Sequence, residues 1–216
     1  MLGSNVVWHP MSVKHTDRIK QKGQKPFVLW FTGISGSGKS TIANLVDLLL
    51  TRSGAHTYLL DGDNLRHGLN CDLAFSDGDR SENIRRTSEV TNLFLDSGCI
   101  VLTATISPFA DDRESARKLI EPFPFIEVFI DAPIDVCKER DPKGLYLKHQ
   151  LGLIKQLTGI DSEYQKPLQP EIYVRTDTQP PISSAQLIIA KLEELGLVNK
   201  PCATPLIEKE THVPHR

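Results

Sequence analysis

The chain has 216 residues, with 25 Lys+Arg against 27 Asp+Glu, a formal net charge of -2 and 39% hydrophobic residues. Such a length suits one domain with a core large enough to fold without staples, and 24% charged residues argue against disorder over most of it. Near neutrality gives no case for a blanket nucleic-acid or anionic-membrane binder, and apolar runs such as Cys99-Ile100-Val101-Leu102 fall far short of a membrane span.

The opening residues Met1 to Asn5 show no basic head followed by an apolar stretch, so no secretory signal is read. Cys71, Cys99, Cys137 and Cys202 form no CxxC pair. They read as small hydrophobes in a reducing compartment, and a cytoplasmic location is expected.

Residues 1–25 carry Lys14, Arg18, Lys20, Lys22 and Lys25 against Asp17 and read as a solvated basic leader. The folded domain is expected over 26–197. It opens with Phe27-Val28-Leu29-Trp30-Phe31, an unbroken apolar run that suits a strand buried on both faces. A glycine-rich turn follows, then a helical pattern with Ile42, Leu45 and Leu49 on one face and Gly54 as its stop.

His56 to Leu60 predicts a second strand. A helix is expected from about Ser81 to Ser97, with Asp79 three residues before Glu82 as a variant capping box. Residues 100–105 and 125–130 predict a third and fourth strand, 171–175 a short last one, and 111–120, 133–140 and 183–195 further helices. This alternation implies an α/β fold, a parallel β-sheet flanked by helices on both faces. Residues 198–216, dotted with Pro201, Pro205 and Pro214, read as a loose tail.

Gly33-Ile34-Ser35-Gly36-Ser37-Gly38-Lys39-Ser40, followed by Thr41, matches G-x-x-x-x-G-K-[ST] between a strand and a helix. Nucleoside triphosphate is a bulky polyanion. Glycines let backbone N–H groups turn inward around it, and the following helix adds its positive end. Lys39 can reach the β- and γ-phosphates of ATP, and the Ser40 hydroxyl is placed for Mg2+. No N-K-x-D guanine-reading motif is present, which favours a small-substrate kinase over a GTPase switch.

Asp61-Gly62-Asp63-Asn64 lies at the carboxyl end of the second strand, where open α/β sheets gather ligands. An acid there can hold metal-bound water or accept a proton from an attacking hydroxyl, although Asp, Gly and Asn are also ordinary turn formers. Arg66, Arg80, Arg85 and Arg86 follow; guanidinium groups suit phosphate or sulfate, and equally suit surface pairs with Glu82 and Glu89. His67 reads as a packed or capping histidine rather than a base. From about 141 to 164 the chain holds Lys143, Lys148 and Lys155 among Gly144, Gly152 and Gly159. Composition alone favours a charged connector there over a mobile lid.

Taken together, these segments resemble the adenylylsulfate kinase (APS kinase) family. The resemblance rests on Trp30-Phe31-Thr32 with the phosphate loop, the run Leu60 to Asn70, Phe75-Ser76 with Asp79-Arg80, and Glu82-Asn83-Ile84-Arg85-Arg86. It continues through Ile106-Ser107-Pro108, Arg140 to Tyr146, and Thr158-Gly159-Ile160-Asp161. It covers about residues 5 to 197 and implies a P-loop kinase fold whose 141–164 segment is a mobile lid.

The activity implied is ATP-dependent phosphorylation of the 3′-hydroxyl of adenosine 5′-phosphosulfate (APS), giving PAPS and ADP in sulfate assimilation. By position, Asp63 is expected to orient or deprotonate the hydroxyl and to assist Mg2+ together with Ser40. Arg66, Arg80 and Asn83, with Asn64 and Ile84 beside them, are expected to hold the acceptor. Phe75 is expected to face its adenine, Ile106 and Ser107 to line its site, and Lys143 to approach the transferred group. Ser107 also stands where a phosphoserine has been assigned in bacterial members.

Leu157 stands where the family carries a phenylalanine expected to stack on the adenine opposite Phe75, so weaker acceptor binding is expected. The resemblance further implies a homodimer, with an ATP sulfurylase as a possible upstream partner. Two alternatives stay open: another small-substrate P-loop kinase, and a non-catalytic nucleotide-binding P-loop protein.

Overall fold

The computed structural model describes residues 6–199. In chain order the elements are α1 (His15–Lys22), β1 (Val28–Thr32), α2 (Lys39–Arg52), β2 (Thr57–Asp61), α3 (Gly62–Leu65), α4 (Asp77–Asp96) and β3 (Ile100–Ala104). They continue with α5 (Ala110–Ile120), β4 (Phe125–Asp131), α6 (Ile134–Arg140), α7 (Leu145–Gln150), β5 (Ile172–Arg175) and α8 (Pro181–Glu194).

The five strands form one parallel sheet in the order β2-β3-β1-β4-β5. β1 is central and fully buried, which is why its sequence is apolar without alternation. Its successive side chains serve opposite layers. Leu29 and Phe31 join Ile42, Val46 and Leu50 of α2 and Ile188 and Leu192 of α8, while Val28 and Trp30 join Ile84 and Leu95 of α4 and Ile120 of α5. Burying each of these large side chains contributes roughly 1.5–3 kcal/mol before chain entropy is counted.

The segment expected as a solvated leader contains α1. None of its side chains is buried, so no apolar stripe announced it. It is tied down instead by polar and backbone contacts: Gln24 Nε2 donates to the carbonyls of His56 and Gly98, each at 2.9 Å. Gly98, with φ 84, brings the α4–β3 turn so near that a Cβ there would lie 3.1 Å from Lys22 Cδ and 3.3 Å from the Arg18 carbonyl.

The long helix α4 begins at Asp77, four residues before the predicted start, because Ser76 rather than Asp79 is its cap. Ser76 Oγ accepts the Asp79 N–H at 3.2 Å and donates to the Asp79 carboxylate at 2.6 Å. The short helices α3 and α7 lie below the length that periodicity resolves. At the other end, Leu197 and Val198 pack against the core; residues 200–216 of the predicted tail, with Cys202, lie outside the described residues. Among the described residues no helix is long and apolar enough to cross a membrane.

Candidate active site

The carboxyl ends of β1, β2 and β3 converge on a cavity of about 590 Å3. Its first wall is the loop between β1 and α2. Two of that loop's glycines answer to sterics: a Cβ at Gly33 (φ 152) would come 2.3 Å from the Ile130 carbonyl, and one at Gly36 (φ 75) would come 2.8 Å from the Cys137 carbonyl. Ile34 closes the loop by accepting the Ser37 N–H at 3.3 Å. Ser35, Gly36, Gly38, Lys39, Ser40 and Thr41 line the cavity, whereas the buried Ser37 hydroxyl turns inward with no hydrogen-bond partner among the described residues.

Lys39 opens α2 and is only 8% exposed. Its ammonium donates to the Ile34 carbonyl at 2.8 Å. Burial, reinforced by the charge of Lys143, pulls its pKa down to about 7. A cation held this way against a neutral carbonyl gains strongly from an incoming phosphate.

The second wall comes from the end of β2. The Asp61 carboxylate does two jobs: Oδ2 accepts the Ser40 hydroxyl at 2.7 Å, and Oδ1 accepts the Asp63 N–H at 3.0 Å as the cap of α3. That cap aims Asp63 into the cavity, where it forms an ion pair with Lys143 from the segment between α6 and α7. Burial holds the Lys143 ammonium below the ordinary lysine value, with Asp61 opposing. The neighbouring Asn64 is exposed and does not line the cavity.

The third wall is the stretch from Arg66 into α4. Arg66 Nη1 donates to the carbonyls of Leu73 (2.9 Å) and Ala74 (3.0 Å), and its guanidinium lies 4.5 Å over the Phe75 ring, which is 58% exposed. Arg80 Nε donates to the Phe75 carbonyl at 2.9 Å, and its Nη atoms hold the 156–158 segment through Thr158 Oγ1 (2.6 Å) and the Gln156 carbonyl. Burial lowers the pKa of both arginines. They stay charged, so an anion here would offset a desolvation cost already present. Asn83 accepts from Asn70 Nδ2 at 2.9 Å, and Ile84 completes this wall.

The floor is Thr105-Ile106-Ser107-Pro108, after β3. Ser107 is 1% exposed and has φ 40, an uncommon left-handed conformation for serine. Three contacts hold it there. Trp30 Nε1 donates to its Oγ at 3.2 Å, Arg113 Nη1 to its carbonyl at 2.8 Å, and Thr32 Oγ1 to the adjoining Ile106 carbonyl at 2.7 Å.

The structure does not bring Leu157 to this cavity. It is 7% exposed and packs with Ala132, Cys137, Tyr146 and Ile34 behind the phosphate loop. Thr158, the next residue, turns its hydroxyl to Arg80. The expectation of a contact opposite Phe75 is therefore corrected.

Sequence reasoning gave no individual role to two residues, and of the two acids at the strand end it assigned Asp63 to the side of Ser40, where Asp61 in fact holds it. Arg140, at the end of α6, donates to the Thr176 carbonyl at 2.7 Å, and Tyr146 ties α7 to the Ser35 carbonyl at 2.8 Å. The signal for Arg140 and Tyr146 was the Arg140–Tyr146 motif itself. For Asp61 there was only its place at a strand end. A larger cavity of about 800 Å3 beside β4 and β5 contains none of Lys39, Asp63 and Arg80.

The donors suit magnesium. Ser40 and Asp61, with Asp63 near, offer oxygen only, as a hard cation requires, and Mg2+ ordinarily takes few protein ligands and keeps several waters. A phosphate loop on a parallel sheet, a buried lysine, and an arginine-lined second anion pocket across an Asp–Lys pair define a P-loop phosphotransferase with a small-molecule acceptor.

Residues 25–175 match the family model described as adenylylsulphate kinase. An adenylyl-sulfate kinase of Geotalea daltonii is 53% identical over 195 residues, spanning 90% of this chain and 96% of the relative. One of Marinobacter nauticus is 55% identical over 90% of this chain and 98% of the relative. The Mycobacterium tuberculosis APS kinase, solved in complex with AMPPNP and APS, superposes with a TM-score of 0.76 at 49% identity, covering 79% of this chain and 99% of that one. The chain belongs to the adenylylsulphate kinase family.

Proposed function

We propose that this chain transfers the γ-phosphoryl group of ATP to the 3′-hydroxyl of APS, yielding PAPS and ADP. The observation that carries the reading is one cavity holding Lys39 of the phosphate loop at one end and Arg66, Phe75, Arg80 and Asn83 at the other, with the Asp63–Lys143 pair between. In-line transfer requires the attacking hydroxyl and the leaving oxygen on opposite sides of the transferred phosphorus, and an acid between the donor and acceptor ends is where that hydroxyl would be oriented.

In this reading the pair exchanges partners on binding. Asp63 orients the 3′-hydroxyl and takes its proton, while Lys143 neutralises the oxygens of the phosphoryl group in flight. Arg66, Arg80 and Asn83 hold the phosphosulfate, and the exposed Phe75 ring offers one face to the base. Ser40, with Asp61 and Asp63, would hold Mg2+, which when bound would supply neutralisation of phosphate charge. Ser107 shapes the acceptor floor; its Oγ faces the Trp30 N–H, a donor, so no base adjoins it and direct transfer is the simpler route.

The domain of residues 26–197 with its 141–164 lid, a cytoplasmic location and a homodimer remain proposals of the same reading. APS is made by a reaction that adenylylates sulfate, and in this reading an ATP sulfurylase is the upstream partner proposed. ADP release from Mg·ATP is to be measured with APS, gluconate and nucleoside monophosphates as acceptors. Stimulation by APS alone is expected; its absence refutes the reading.

A further inference from the structure

Outside the cavity, one histidine is wired to it. His149 lies in the last turn of α7, and its Nε2 is 3.0 Å from Asp161 Oδ2. The two oxygens of Asp161 also accept the backbone N–H groups of Gln156 (3.0 Å) and Leu157. Gln156 has φ 59, a left-handed conformation that a glutamine adopts only when its surroundings hold it there. The turn so fixed presents the Gln156 carbonyl and Thr158 Oγ1 to Arg80. A continuous chain of contacts thus runs from His149 through Asp161 and the 156–158 turn to a guanidinium in the acceptor cavity.

We propose that His149 is a positioning residue for the acceptor, which through Asp161 clamps the 156–158 turn that holds Arg80, more firmly when its imidazole is protonated. A protonated ring donates a charge-assisted hydrogen bond to the carboxylate, whereas the neutral ring donates a weaker one and only as one of two tautomers. The Asp161 carboxyl is held below the usual carboxylate range, chiefly by its bond with His149 and further by the Gln156 and Leu157 N–H groups.

The charged groups around the pair are Asp161 from the loop, Arg80 from α4, which senses the Asp161 charge, and Lys148 beside His149 on its own helix. Asp141, which accepts the Leu147 N–H at 3.0 Å, anchors the opposite end of α7. The acceptor role rests on the reading of the cavity as an APS site, but the clamp does not.

Two measurements on the full chain separate these. Amide hydrogen exchange of Gln156 and Leu157, without nucleotide or acceptor, is compared between wild type and His149→Ala at pH 6 and 8.5. The variant is expected to exchange about threefold faster at pH 6, with a smaller ratio at pH 8.5. In steady state, the wild-type KM for APS is expected to rise about threefold from pH 6 to 8.5. The His149→Ala KM is expected to be high and flat, with kcat unchanged. His149→Gln, which still donates to Asp161 but carries no charge, is expected to restore part of the loss without the pH step.

Equal exchange in the two proteins overturns the clamp. Altered exchange with an unaltered KM profile overturns the positioning role. Should APS fail to stimulate the wild type at all, the assignment of the acceptor fails while the exchange comparison still decides the clamp.

Discussion

Replacing Arg113 by methionine tests whether the acceptor floor is held from beneath by a buried charge. Arg113 is 5% exposed and donates to Glu127 Oε1 at 2.7 Å, to the Ser107 carbonyl at 2.8 Å and to the Gln165 carbonyl at 2.8 Å. Methionine fills similar space but strands a buried carboxylate, an effect worth about 3–5 kcal/mol, roughly a third of the 5–15 kcal/mol of a typical domain. In a chain of this size Tm should fall by about 10 °C. Urea unfolding at pH 8 should show the loss directly. Arg113→Met combined with Glu127→Leu removes both charges and should regain most of the stability, yet leave the acceptor KM raised because the Ser107 carbonyl still lacks its donor. A single variant within 1 kcal/mol of wild type at pH 8, or a double variant no more stable than the single, would refute the reasoning.

Four further outcomes are expected. Asp63→Asn should lower kcat about 10²–10⁴-fold in a coupled ADP assay with nucleotide affinity nearly unchanged, since the amide preserves shape and loses the base. Leu157→Phe should cost about 1–3 kcal/mol by overpacking the cluster behind the phosphate loop and should leave the acceptor KM unimproved; a lower KM would place residue 157 against the base after all. Ser107→Ala should retain turnover, and a dead but folded variant would revive a covalent route. With Lys39 at about 7 in the free protein, nucleotide must bind the charged form, so binding takes up a proton and weakens as pH rises above about 7. Calorimetry in two buffers of different ionisation heat measures that proton, and identical heats would contradict it.

The central strand and the phosphate loop were legible in the sequence because their residue types follow from one dominant force each. β1 is apolar from Val28 to Phe31 because both faces are covered, and the loop is glycine-rich because Ile130 and Cys137 backbone oxygens leave no room for a Cβ at Gly33 and Gly36. Asp63, Arg66, Phe75, Arg80 and Lys143 were legible through motif resemblance rather than through spacing. What stayed hidden depends on long-range contact. α1 buries no side chain and is held by Gln24 and by the close approach of Gly98; the Arg113–Glu127 pair joins α5 to β4; and Leu157 and Thr158 divide between two environments that no periodicity distinguishes. The arginine prediction fared unevenly for the same reason: Arg85 and Arg86 pair with Glu82 on the helix surface, while Arg80 turns to the cavity.

The chain has two tryptophans, and their settings could hardly differ more. Trp8 is 88% exposed, while Trp30 is wholly buried, stacked on Phe125 at 5.4 Å, with its N–H on Ser107. An indole in that position is a native optical reporter. With Trp8 replaced by phenylalanine, the emission of a single fluorophore would come from directly beneath the acceptor floor, and loading of that floor could be followed in real time without any attached label.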